Sequence, residues 1–142
     1  MKCAIAVGIA ALCGFALLTP LPAQTKRSVL DGVYTSGQAS RGKLVYFEIC
    51  AECHGEDLAG DVETRPLAGA DFVVNWKGGT LFTLFERIRT TMPADSPGLL
   101  KRQEYTDVLA FILQANKYPE GKDELSSRSE DLRSIQFEPP KP

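Results

Sequence analysis

Apolar positions begin to recur with helical spacing at Gln38. Leu44, Phe47 and Ala51 share one face, and Val45 and Ile49 widen it. The spacing predicts a helix that runs into residues 50–54 and ends near Gly55, with Ser36 or Ser40 as its cap. Leu81, Leu84, Phe85 and Ile88 form the stripe of a second helix over 80–91, capped by Thr80 and stopped before Pro93. Tyr105, Val108, Leu109, Ile112 and Leu113 form the apolar face of a third helix over 102–116. It lacks the usual Ser or Asp at its start, and Asn116 suits its end. The glycine-rich stretch 55–79 reads as one long loop. Phe72-Val73-Val74 could pass for a strand, but no alternating partner run lies nearby. A loop this long in a small domain is usually functional or wrapped around something. From Lys117 the chain is polar, with Leu125, Leu132, Ile135 and Phe137 as its few apolar anchors, and reads as an extended strap or a mobile arm. The pattern is all-α: three main helices, long loops, little or no sheet and no repeats.

The N-terminal pattern differs. Lys2 precedes an unbroken apolar run from Ala4 to Leu18, and TPLPAQ follows with a cleavage site after Ala23. This order predicts a secretory signal peptide over 1–23 and a periplasmic mature protein. A retained anchor is the competing reading, but a spanning helix needs roughly 20 apolar residues, so no membrane span is expected after cleavage. The expected organisation is signal 1–23, lead-in 24–36, folded domain 37–118 and polar tail 119–142. Cleavage would remove Cys3, Cys13 and Met1, leaving Cys50, Cys53 and Met92 as the only sulfur-bearing residues.

Composition adds little beyond this. The 142 residues are 44% hydrophobic and 24% charged, with formal net charge −2, which describes one soluble domain with a modest core. The basic stripe that nucleic-acid binding needs is missing.

The candidate chemistry is concentrated in ICAECHG, residues 49–55, which holds Cys50, Cys53 and the single histidine, His54. C-x-x-C-H is the attachment motif of haem c. Two thiols separated by two residues reach two neighbouring vinyl groups of one porphyrin, and the adjoining histidine then sits beneath the iron. A structural zinc site wants four Cys or His ligands, one more than this cluster supplies. A thioredoxin-like pair is expected beside a βαβ pattern, which is lacking. A plain disulfide suits an exported chain but leaves His54 unexplained. With no second histidine, the sixth iron position falls to Met92, which sits at a helix exit in Thr-Thr-Met-Pro-Ala-Asp rather than on an apolar face.

Four stretches, RGKLVYFEICAECHGEDLAG, RPLAG, TTMPADSPG and EYTDVLAFILQANKYP, resemble class I (mono-haem) cytochromes c, over roughly residues 37–116. The Met-Pro loop and the tail are more specifically similar to the type associated with bacterial periplasmic dehydrogenases, quinoprotein ones included. The resemblance implies a cytochrome c fold, with the three helices and long loops wrapped around one covalently bound haem. It implies that Gly42 and Tyr46 cross the terminal helix at Phe111, that the carbonyl of Arg65 or Pro66 orients His54, and that Leu67 packs on the haem face. Trp76 either lines the haem, reaching a propionate, or packs in the core. Arg65, Arg87 and Arg89 either offset propionate charge or are solvated surface residues.

With His54 and Met92 on the iron, no position is open for substrate. The expectation is a one-electron carrier rather than an enzyme, passing electrons between a redox protein donor and acceptor, such as a periplasmic dehydrogenase or a terminal oxidase. The alternative is a haem-bearing subunit of a larger, for instance quinoprotein, dehydrogenase complex. A haem-based gas sensor or haem enzyme ranks below both, for want of a distal histidine.

Overall fold

The computed structural model describes residues 26–140. The signal peptide expected over 1–23 lies outside the described residues. Among these, α1 (Ser36–Ile49), α4 (Leu81–Thr91) and α5 (Arg102–Ala115) are the long helices. The short ones are α2 (Ala51–His54), α3 (Ala70–Trp76) and α6 (Ser129–Ser134). The only strands here are β1 (Arg27–Ser28) and β2 (Ile135–Gln136), paired in parallel with Arg27 opposite Ile135. The second and third predicted helices are present within a residue of their expected limits, as α4 and α5; the first, expected to run through residues 50–54, stops at Ile49, and the C-x-x-C-H residues form the separate turn α2.

Two expectations about α1 need correction. Its cap is neither Ser36 nor Ser40 but Thr35, whose side chain accepts from the Gln38 N–H at 3.1 Å. Nor is its inner face Leu44-Phe47-Ala51: Leu44 is 73% exposed and Phe47 42%, while Gln38, Ala39, Gly42 and Tyr46 are buried. The cause is Gly42. A Cβ there would run into the backbone of Asp107 and Val108, so α1 and α5 approach backbone to backbone along the glycine's side. The more apolar stripe is left outside. The helix axis is set by the closest approach it can make, not by summed hydrophobicity.

The loop expected over 55–79 contains α3. A seven-residue helix with two adjacent valines is a poor helix on local grounds. Tertiary packing supports it: Phe72 is buried, with its ring edge-on to Phe137 at 5.9 Å.

The polar tail is a strap. Leu125, Leu132, Ile135 and Phe137 are all buried in the same core as α4 and α5. Tyr34 donates to the Tyr118 carbonyl at 2.6 Å and Tyr118 donates to that of Glu138 at 2.8 Å. Arg133 lies 3.8 Å from the centre of the Phe82 ring, fastening α6 to α4. Gln38, fully buried on α1, grips Leu125 at two points: its Nε2 donates to the Leu125 carbonyl at 3.0 Å and its Oε1 accepts from the Leu125 N–H at 2.6 Å. Gln38→Leu would leave a buried N–H and C=O without partners, so we expect a loss of roughly 2 to 5 kcal/mol. The measurement is denaturant unfolding at constant m-value. A change below about 0.5 kcal/mol, the size of an ordinary surface substitution, would show that the strap is not held there.

Candidate functional site

The attachment turn begins where α1 stops. Cys50 has φ −110° and ψ −33°, which breaks the helix between Ile49 and Ala51. Its carbonyl nonetheless accepts from the N–H groups of Cys53 at 3.2 Å and His54 at 3.0 Å. The two cysteines and the histidine are thus wound onto a single turn, α2. Gly55, at φ +73°, ends that turn in a conformation glycine adopts freely. The Tyr46 hydroxyl donates to the Gly55 carbonyl at 2.6 Å, tying the turn back to α1, and its ring lies 5.2 Å from that of Phe111 on α5. The ring contact follows the expected helix crossing. The role of the hydroxyl was not legible, because the residue it holds is nine positions away.

Neither thiol is paired: Cys50 is half-buried and Cys53 exposed. Burial, reinforced by the neighbouring Cys53, pushes the Cys50 thiol up to about 11. Burial also lowers the His54 imidazole, against smaller opposing effects from the Arg65 carbonyl and Asp61. The lowered value favours the neutral imidazole that binds metals.

Of the two carbonyls named for orienting His54, the one in reach is that of Arg65, 3.3 Å from Nδ1. A donor Nδ1–H leaves the Nε2 lone pair free to ligate. The loop carrying Arg65 is itself fixed. Gly60 N–H donates to the His54 carbonyl at 3.0 Å, and the Asp61 carboxylate accepts from the N–H groups of Glu63 and Thr64 at 2.8 and 2.7 Å.

Leu67 is half-buried against the core. Its N–H donates to the Leu58 carbonyl at 2.8 Å and its carbonyl accepts from Asn116 Nδ2 at 2.9 Å. Asn116 Oδ1 also accepts from Gly69 N–H at 3.0 Å. One amide at the end of α5 therefore holds both sides of Ala68. Sequence reading assigned Asn116 only to a helix terminus; a buried amide with four hydrogen-bonding positions was the unused signal. Trp76, half-buried at the end of α3, has Phe72 as its aromatic neighbour at 6.5 Å. Arg89 is engaged by Glu86 through two bonds of 3.0 and 2.7 Å, whereas Arg65 and Arg87 are exposed.

Met92 is the residue at which α4 ends. Its N–H donates to the Ile88 carbonyl at 2.8 Å, its backbone is extended at φ −128°, and its side chain is half-buried. The Tyr105 hydroxyl donates to its carbonyl at 2.8 Å.

This donor set fits haem c. Two unpaired thiols and a neutral, oriented imidazole share one turn, and a thioether is held at a helix exit. Half-buried apolar groups, Leu67, Ala68, Trp76 and Ile88 among them, border the core. Among the described residues no group of three His, Cys, Asp or Glu side chains is arranged to hold a bare metal ion.

Comparison with known proteins agrees. The family described as "Cytochrome C oxidase, cbb3-type, subunit III" matches residues 37–112, just over half of the chain. The "Cbb3-type cytochrome c oxidase subunit CcoP" of Azospirillum brasilense is 32% identical over 87 residues, covering 59% of this chain and 30% of that protein. The chain therefore spans about three-tenths of the length of this curated relative. No solved structure matches. The helical architecture is that of a cytochrome c, and the family's cofactor is covalently bound haem c. On the match across residues 37–112, this chain belongs to the cytochrome c family, in its cbb3-type oxidase subunit III branch.

Proposed function

We propose that this chain is an exported, haem-bearing electron-transfer subunit of a larger redox complex, and that it serves a terminal oxidase. The electron-transfer part rests on one observation: Cys50, Cys53 and His54 share a turn in which Nδ1 of His54 is engaged by the Arg65 carbonyl. When bound, haem supplies an iron that alternates between ferrous and ferric states. Cys50 and Cys53 would hold it through thioethers, and His54 and Met92 would supply its iron ligands. Leu67 and Trp76, both half-buried, would shield it from water. One C-x-x-C-H in the sequence corresponds to one haem per chain, carried by a domain over 37–118 after a signal at 1–23.

The oxidase assignment is supported by the names of the matching family and of the relative. Neither bears on a dehydrogenase partner. The free carrier and the complex subunit are separated by fractionating the native host and staining for covalent haem. Haem-bearing chain that co-migrates with oxidase activity in membrane extracts supports the proposal. Haem-bearing chain confined to the soluble periplasm as a monomer overturns the subunit assignment and favours a diffusing carrier.

A further inference from the structure

Tyr105 is almost completely buried, 2% exposed, in the first half of α5. A buried phenol needs a partner for its hydroxyl, and this one has a specific choice: the carbonyl of Met92, at 2.8 Å. Its ring cannot readily swing away. Phe85 of α4 meets it edge-on, with centroids 6.4 Å apart and planes at 86°, and the Arg102 guanidinium lies 4.7 Å from the centre of that same Phe85 ring. Arg102 is in turn bonded to the Ser127 carbonyl at 2.9 and 3.1 Å. The Met92 backbone is thus pinned on both sides. Its N–H belongs to the last turn of α4, and its carbonyl belongs to α5 through Tyr105. Beyond it the chain enters the exposed stretch 94–99.

We infer that Tyr105 is a positioning residue for the sixth ligand, restraining the Met92 backbone so that the thioether stays directed at the iron. A methionine side chain is flexible, and a thioether is a weak ligand that external bases displace. Persistence of the bond therefore depends on how little the Met92 backbone can move. This inference rests on Met92 as ligand, and the test separates the two.

The full-length, haem-loaded protein is purified as wild type, Tyr105→Phe, Tyr118→Phe and Met92→Ala. Imidazole is titrated into each ferric protein while the methionine–iron charge-transfer absorption is followed. Tyr118→Phe is the matched control: it also deletes a buried hydroxyl donating to a backbone carbonyl at 2.8 Å, but on the strap. Tyr105→Phe is expected to bind imidazole about three- to tenfold more tightly than wild type, the span that one lost hydrogen bond supports, with the charge-transfer band weakened. Tyr118→Phe is expected to lose thermal stability without either change. If Tyr105→Phe and Tyr118→Phe shift imidazole affinity equally, or Tyr105→Phe shifts neither readout, the positioning role is rejected. If Met92→Ala also leaves imidazole affinity unchanged, the ligand assignment itself fails.

Discussion

Replacing Gly42 with valine will destabilise the domain by a large part of its folding free energy. At this position the added Cβ meets backbone, not side chain: the carbonyl of Asp107 and, 2.7 Å away, the nitrogen of Val108. A neighbouring side chain could rotate aside, but the α5 backbone can yield only by moving away from α1. These two helices make the most extensive contact between elements, and the separation would open the packing of Tyr46 on Phe111 and the salt bridge of Arg41 with Asp107. The expected loss exceeds about 4 kcal/mol, at the extreme of single substitutions, against a total stability of roughly 5 to 15 kcal/mol for a domain. Gly42→Ala should be milder but still severe. Thermal unfolding followed by circular dichroism measures both. A Gly42→Val protein melting within a few degrees of wild type would show that the helices do not cross there.

The second large effect concerns the iron rather than the fold. Met92→Ala should leave the haem attached, because Cys50, Cys53 and His54 are on a different element, yet remove the proposed sixth ligand. Methionine opposite histidine raises the potential. Axial ligands as a class span roughly 0.8 V, so the midpoint should fall by a sizeable part of that range. Carbon monoxide should then bind the ferrous protein. Potentiometry and a carbon monoxide difference spectrum test this together. An unchanged midpoint with no carbon monoxide complex would remove Met92 from the site. The fold should tolerate the change, since the side chain is only half-buried and its backbone bonds to Ile88 and Tyr105 persist.

What could be read from the sequence follows the range of the interactions involved. The α4 stripe and its Thr80 cap, the α5 face and the C-x-x-C-H turn are defined by residues within a few positions of one another, and each was legible. The inner face of α1 was not. Hydrophobic periodicity pointed to Leu44 and Phe47, and only the encounter with the α5 backbone singles out Gly42 and buries Gln38. The helix α3 escaped for a related reason: its valines argue for a strand, and what supports it is Phe137, more than sixty residues away in sequence. At the site, residue types and spacing indicated the cofactor. The hydroxyls of Tyr46 and Tyr105 and the amide of Asn116 act on backbone groups in other elements, and no local pattern marks such a partner.

The pairing of Arg27 with Ile135 closes a loop over almost the whole described chain. The entropy of such a closure rises only with the logarithm of its length, so the arrangement adds little thermodynamic burden. Its effect is on timing. Contacts of such long sequence separation form slowly, and the strap is synthesised after both of the helices whose core it joins. The strap joins a core whose central helices, α1 and α5, have themselves met across a shorter span. The topology therefore favours an order of assembly in which the crossing of α1 on α5 precedes the pairing of β1 with β2.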